Sequence, residues 1–265
     1  AVISSPVESP WLSRLNLAVD YYNVDLTNAI AQQGIDGVYR RCFARQYNPS
    51  YELNEFCALV HRTPGTGEVS NVDITYSNAG RVRTSGIDVQ LNWSLNFQEA
   101  GIPLPGTLIT SAQGSYLLNF ETTTDEGIIP LVDYAGTLGG GQVGTNAGAY
   151  RFKLFTTVTY AVGPATVGVQ WQHKSAVASA ASVLDTASNI TGAPAYDLFH
   201  LNGTFAITPD ARIRVGIDNL FDKAPPLIGV NLNADGLGTL RGGSFDNAQY
   251  DVLGRRFYLG ATFDF

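Results

Sequence analysis

The stretch that decides the fold is the last one, Tyr250–Phe265, which reads YDVLGRRFYLGATFDF. A strand whose side chains alternate in this way has one apolar and one polar face. A soluble protein buries such an apolar face under a second layer, but the rest of the chain supplies only more strands of the same kind. The pattern therefore predicts a barrel whose apolar face contacts lipid. The apolar parity of this strand holds Leu253, Phe257, Leu259, Ala261, Phe263 and Phe265.

Composition narrows the class of protein. The 265 residues suffice for one all-β domain of barrel size or for two small domains. Only 15% of the residues are charged, and the net charge of −7 gives no electrostatic support to nucleic-acid binding. No apolar run reaches the roughly 18 residues that a membrane-spanning helix needs.

The first residues, AVISSPVESP, contain neither a methionine nor a signal peptide. They read as the interior of a longer protein. We therefore expect a fragment of a longer secreted precursor, and the alternative is a mature chain produced by cleavage.

The same alternation predicts eight principal strands. A strand near 69–77 is expected to lead into a bulge or turn at 78–80, and 51–62 is expected to form a short helix. The predicted principal strands cover about 11–28, 84–97, 107–120, 150–162, 166–173, 196–207, 212–221 and the terminal stretch.

The predicted connections alternate between long and short. Bacterial outer-membrane barrels have short periplasmic turns and long extracellular loops, whereas a soluble sandwich or lipocalin-like barrel has no reason to sort its loops by length. The connections are 29–68, 98–106, 122–147, 163–164, 176–194, 208–210 and 222–248.

A row of polar side chains is expected to face the barrel interior. Arginine in the lipid midplane costs about 2–4 kcal/mol, so charge on the polar parity supports the lipid interpretation. Trp93 and Trp171 are candidates for aromatic girdles at the membrane interfaces, with ordinary packing as the alternative. The predicted lumen-facing residues are Asp20, Asp88, Gln90, Asn92, Arg151, Lys153, Arg212, Arg214, Asp218 and Arg256.

The two cysteines, Cys42 and Cys57, lie in the first long connection. In an oxidising compartment they predict a disulfide worth about 3 kcal/mol. The alternative, a metal pair with His61, lacks further ligands.

The remaining candidate motifs have weak functional support. Residues 139–144 (GGGQVG) fit a dinucleotide fingerprint, but a loop between two alternating strands is the wrong context. Asp235, Asp246 and the RGG at 241–243 suit a solvated loop, or a ligand or calcium contact. His61, His173 and His200 have neither metalloprotease nor triad spacing, and no nucleophile elbow or P-loop occurs. We therefore predict a non-enzyme without a cofactor or a resident metal.

Several motifs resemble one family, in the family's order. Near the end these are Asn219-Leu220-Phe221-Asp222-Lys223 and LGRRFYLGATFDF; earlier they are residues 78–80 with 85–88, and residues 19–22 followed by the cysteine pair. Together they resemble the C-terminal part of TonB-dependent outer-membrane receptors, which implies an all-β antiparallel transmembrane barrel segment.

The resemblance implies a barrel of about 22 strands filled by an N-terminal plug and energised through TonB. Residues 1–265 would be the C-terminal barrel part, with about eight meandering strands and with the plug and the TonB-contacting segment absent. Partners would be outer-membrane lipid, the TonB complex through the missing part, and the barrel-assembly machinery. That machinery would read Tyr258, Gly260, Phe263 and Phe265.

The implied function is active uptake of a scarce nutrient such as a ferric siderophore, cobalamin or a glycan across the bacterial outer membrane. One alternative is a self-contained eight-stranded outer-membrane barrel acting as an anchor or small pore. Another is a soluble β-barrel that binds a ligand or acts as an enzyme.

Overall fold

The computed structural model describes residues 2–138, 148–188, 191–228, 246 and 248–263. About half of these residues lie in β-strands. The strands are β1 Val2–Ser4, β2 Leu15–Gln32, β3 Val60–Arg62, β4 Val69–Val72, β5 Tyr76–Asn96, β6 Thr107–Thr123, β7 Val132–Asp133, β8 Thr137–Leu138, β9 Phe152–Val162, β10 Ala165–Lys174, β11 Ala178–Ser179, β12 Tyr196–Thr208, β13 Ala211–Asp218 and β14 Arg256–Phe263.

One large sheet contains all eight long strands in chain order. Its strand order is β1-β2-β5-β6-β9-β10-β12-β13-β14, and β7 pairs with β6. Every neighbouring pair is antiparallel. The predicted antiparallel meander is therefore confirmed. In the described sheet β1 and β14 stand at opposite ends, so the sheet is an arc of a barrel wall.

The strand bounds differ from the prediction mainly at the long-loop end. The predicted strand near 69–77 is instead β4, which pairs with β3 inside the first loop. The sheet strand starts at Tyr76 and runs on through 78–80, where its register with β2 shifts. The register shifts interrupt the alternation of apolar and polar side chains near the start of β5. The sequence pattern therefore predicts a start for this strand that is too late in the chain.

The large apolar side chains of the strands remain exposed on one face of the sheet. Leu259 is 76% exposed, Phe263 61% and Val215 48%. The buried cluster lies elsewhere, in the long loops and at the start of β12. An apolar face without a covering layer is what a lipid-facing surface requires.

Three short helices lie in the long loops: α1 Ile35–Phe43, α2 Glu55–Ala58 and α3 Ala181–Leu184. The predicted helix at 51–62 is thus reduced to α2, because β3 takes its last residues. α1 was not predicted. None of the described helices has the length and the apolar character needed to cross a membrane.

Candidate functional site

The polar face of the sheet is organised in rows, because antiparallel register places side chains of neighbouring strands side by side. The first row runs through Asp20, Asp88, Ser115, Lys153, Lys174 and Tyr196. The second row runs through Ala18, Gln90, Gln113, Phe155, Gln172 and Leu198. The predicted lumen-facing residues Asp88, Gln90 and Lys153 therefore meet on one wall.

A pocket of about 510 Å³ lies over these two rows. Asp20 and Asp88 line one side of it, and Lys153 and Lys174 line the other. The side chains of Asp88 and Lys153 belong to exposed residues. The pocket is thus a concavity with two acids on one side and two bases on the other.

A second pocket, of about 280 Å³, lies between β10, β12 and the start of β14. His200 Nδ1 lies 3.2 Å from Asp218 Oδ1, and Arg256 Nη1 donates to Asp251 Oδ1 at 2.9 Å. Burial raises the pKa of Asp251, but hydrogen bonds from the Arg256 side chain and the Leu253 amide lower this pKa by more than burial raises it. The pKa of Asp251 therefore lies below its usual value. Arg256 Nε also lies 3.8 Å from Asp218 Oδ2, so Asp218 and Arg256, both predicted to face the lumen, belong to one ionic network.

The long loops form a packed layer beside these pockets. The Nζ of Lys174 lies 5.4 Å from the ring centres of both Tyr150 and Tyr250 and donates to the carbonyl of Gln249. Burial raises the pKa of Tyr250 above its usual value. The described buried cluster contains Leu138, Tyr150, Val177, Ala193, Tyr196, Leu198 and Tyr250. Lys174 therefore joins the strand wall to the loop layer.

Two glycines on the polar face make room for tyrosine rings on the next strand. Gly216 faces Tyr258, and Gly86 faces Tyr22. A Cβ at either glycine would meet the tyrosine side chain opposite. Tyr258, a residue of the predicted assembly signal, thus packs over Gly216.

The Asn219–Lys223 motif forms a fixed turn after β13. Asn219 is buried and has a φ of 50°, which asparagine tolerates better than most residues. Its side chain accepts from the Lys223 amide at 2.7 Å and donates to the Lys223 carbonyl at 3.0 Å. Asp222 Oδ1 accepts from the Arg255 amide at 2.9 Å, which connects the turn to the start of β14.

A disulfide closes the first long loop, and an ion pair connects this loop to the next long loop. Cys42 and Cys57 form a disulfide with a Cα–Cα distance of 4.9 Å. Next to it the Arg41 guanidinium lies 4.6 Å from the Phe56 ring centre and 2.5 Å from Asp125 Oδ1, in the following loop. Burial raises the pKa of Asp125 above its usual value despite Arg41.

Aromatic residues cluster at both ends of the apolar face. At the short-turn end Trp93 Nε1 donates to the Trp11 carbonyl at 2.8 Å. At the long-loop end Trp171 stacks on Phe199 with ring centres 6.0 Å apart and donates to Asp197 at 2.8 Å. Both predicted girdle tryptophans therefore lie on the outward face.

Charges appear on the outward parity beyond the aromatic residues at the long-loop end. The row Asp25, Arg83 and Glu121 follows the row Tyr21, Ile87 and Tyr116 on the same face. Arg83 lies 3.2 Å from Glu121, and Arg81 lies 2.7 Å from Asp25 and 2.5 Å from Glu126.

The other candidates are dispersed. Arg151 bonds the Leu118 carbonyl at 2.5 Å and lies 3.4 Å from Asp133, so it braces β7. Arg212 and Arg214 lie on β13, near Thr262 and Gly260 of β14. His61, His173 and His200 pair separately with Asp73, Asp197 and Asp218. Among the described residues no group of three or more metal-ligating side chains occurs.

Some predictions fall outside the described residues: the motif at 139–144, Asp235, the RGG at 241–243 and Phe265. Asp246 is described, and its side chain accepts from the Ala248 amide at 2.9 Å. The sequence analysis did not predict two features. One is the cage that the Tyr150 and Tyr250 rings form around Lys174 Nζ, and the other is the ion pair between Arg41 and Asp125. Lys174 lies two residues after Gln172 and therefore points to the same face of the strand. If the predicted strand 166–173 had been extended by one residue, Lys174 would have been placed on the polar face.

Family comparison adds an independent finding. The family described as TonB dependent receptor-like, beta-barrel matches residues 8–220. This chain belongs to that family. Its members are receptors of the outer membrane and not enzymes, so the predicted outer-membrane location and the non-enzymatic class are confirmed. No curated protein shows significant similarity to the chain.

Solved structures of a receptor and of two transporters share the fold at low identity. A mutant of the ferric enterobactin receptor PfeA from Pseudomonas aeruginosa has a TM-score of 0.56 and 14% identity; the match covers 95% of this chain and 29% of that chain. The outer membrane transporter YddB from Escherichia coli has a TM-score of 0.51 and 10% identity, and the match covers 95% of this chain and 30% of that chain. The copper transporter OprC has a TM-score of 0.50 and 16% identity, and the match covers 95% of this chain and 29% of that chain. This chain thus spans less than a third of the length of these receptors.

Proposed function

We propose that this TonB-dependent receptor chain forms part of the wall of a transporter that takes up a scarce nutrient across the outer membrane. The observation that carries the proposal is the family match over residues 8–220. The polar face supports it, because charged and amide side chains line a concave surface of the same wall. In the complete receptor, TonB would supply the energy through the N-terminal part.

The similar structures include a copper transporter and a ferric enterobactin receptor. Metal-containing nutrients are therefore the first substrates to test, followed by cobalamin and glycans. Cells that express the complete receptor should accumulate one of these substrates only when TonB is present. Equal accumulation in cells without TonB would overturn active transport.

A self-contained eight-stranded anchor or pore is the second candidate. The strand order counts against it, because β1 and β14 stand at opposite ends of the described sheet. The purified complete protein should accordingly show no steady open conductance in planar bilayers. A stable conductance would favour the pore.

We also propose that Tyr258, Gly260, Phe263 and Phe265 form the signal that the barrel-assembly machinery reads. Removal of Phe265 should lower the yield of heat-modifiable barrel in the outer membrane. An unchanged yield would refute this role.

A further inference from the structure

An exposed aromatic ring lies among polar side chains in the first pocket. Phe155 belongs to the second row of the polar face, is 38% exposed and lines the pocket of about 510 Å³. Among the described residues, no other aromatic ring and no cation stacks on it. The face of this ring is therefore available to a ligand, and the pocket volume is in the range of small-ligand sites.

Glutamine side chains flank the ring along the same row. Gln113 lies opposite Phe155 on β6, Gln172 lies opposite it on β10, and Gln90 follows Gln113 on β5. All three glutamines line the same pocket as the ring. Neighbouring strands are about 4.8 Å apart, so a ligand ring on Phe155 has an amide one strand spacing away on each side.

The amide groups of this row have bonding capacity left for a ligand. Gln90 and Gln113 are exposed, and in the part of the chain that the structure describes their side chains form no hydrogen bond. Gln172 contacts His200 through one amide atom, at 3.3 Å, and keeps the other for a ligand. Each amide can both donate and accept a hydrogen bond.

The charged residues of the same pocket favour a ligand without net charge. They are two acids, Asp20 and Asp88, and two bases, Lys153 and Lys174, so their formal charges cancel. Lys174 is also held by the Gln249 carbonyl. An anionic ligand would therefore find no net positive charge to attract it into this pocket.

A neutral sugar has the chemistry that this row matches. One face of a pyranose ring presents C–H groups, and its edge carries hydroxyl groups. The face of an aromatic ring is negative and attracts such C–H groups. A hydroxyl group donates and accepts hydrogen bonds, as the glutamine amides do. A sugar stacked on Phe155 would therefore direct hydroxyl groups to Gln113 and Gln172, and a second sugar would reach Gln90.

We propose that this row binds a neutral glycan, with one pyranose ring stacked on Phe155 and its hydroxyl groups bonded to Gln113 and Gln172. The inference rests on the proposed function, because it selects one of the nutrient classes that the transporter would take up. A glycan combines the absence of charge with rings that carry hydroxyl groups, and its recognition requires no metal.

The test uses the complete receptor in a polyoxyethylene detergent, because a detergent with a sugar headgroup would compete for the site. The receptor is applied to an array of neutral gluco-, manno-, galacto-, xylo- and chito-oligosaccharides, and the best binder is titrated by calorimetry. At least one neutral oligosaccharide should bind saturably. An iron–catechol complex, which is aromatic and anionic, should not displace it.

Three variants assign the binding to the row, and heat-modifiable mobility checks that each is folded. Phe155→Ala should weaken binding of the best oligosaccharide about tenfold, and Phe155→Tyr, which keeps the ring, should preserve it. Gln113→Leu keeps a similar shape without the amide and should weaken binding about fivefold. The matched control is Ile109→Ala, which truncates an exposed apolar side chain of the same parity on β6, outside the pocket, and should leave binding unchanged.

No saturable binding of any neutral oligosaccharide, or equal affinities of Phe155→Ala and the unmodified receptor, would overturn the proposal. Tighter binding of the iron–catechol complex than of every neutral oligosaccharide would also overturn it. Glycan binding that appears only after removal of the N-terminal plug would do the same, because the plug would then occupy the row. The two proposals fail separately. TonB-dependent uptake of a substrate without glycan binding refutes only the glycan site, and Phe155-dependent glycan binding without TonB-dependent uptake refutes only transport.

Discussion

Asn219→Ala should release the start of β14, because the turn after β13 depends on this one side chain. Alanine removes two hydrogen bonds to Lys223, each worth about 1 kcal/mol. It must also adopt a φ of 50°, which costs an alanine about 1 kcal/mol. The sum is about 3 kcal/mol, or a factor of about a hundred in the opening equilibrium.

Hydrogen exchange of the complete receptor measures this opening directly. Amides of β13 and of β14 should exchange up to about a hundredfold faster in Asn219→Ala, and amides in the middle of β5 should not change. β14 is affected because Asp222, in the same turn, accepts from the Arg255 amide.

Asn219→Gly separates the two contributions. Glycine adopts the positive φ without strain and loses only the hydrogen bonds, so the opening should cost about 2 kcal/mol. Exchange in Asn219→Ala within twofold of the unmodified receptor would refute the hydrogen-bond argument. Equal exchange in the glycine and alanine variants would refute the backbone contribution.

Three further changes test other parts of the wall. Cys42→Ser should destabilise the first loop by about 3 kcal/mol, seen as faster trypsin cleavage there, and an unchanged rate would contradict it. Because burial raises the pKa of Asp125, the folded loop binds this proton more tightly than the unfolded loop does. Loop stability should therefore be greatest below the ordinary pKa of about 4 and should fall as pH rises through the raised pKa. Exchange of α1 amides, corrected for intrinsic rates, should show this fall, and Asp125→Asn should abolish it. Gly216→Ala should cost about 1–3 kcal/mol in urea unfolding, because the new Cβ meets Tyr258. The reference is Gly114→Ala, where a Cβ would make only ordinary van der Waals contacts, and an equal cost in the two variants would contradict the prediction.

The sequence was sufficient to predict the strands and their faces, because the side-chain period of a strand is a local property. Leu259 and Phe263 point outward in the structure as the alternation predicts. Bulges interrupt that period, so the start of β5 was placed too late. Tyr150 and Tyr250, which contact Lys174, come from two different loops that are distant in sequence. The sequence near Lys174 therefore contains no pattern that predicts these contacts.

The outward charges near the long loops show where the lipid ends. Asp25 and Arg83 share the parity of Tyr21 and Ile87, so parity alone would place them in lipid at a cost of up to about 2–4 kcal/mol. β2 has 18 residues, which is more than the roughly 9–11 residues that cross a bilayer. The strand therefore continues above the membrane, where charges cost little. The hydrocarbon boundary then lies between the row of Tyr21 and the row of Asp25, and the long loops stand entirely outside it.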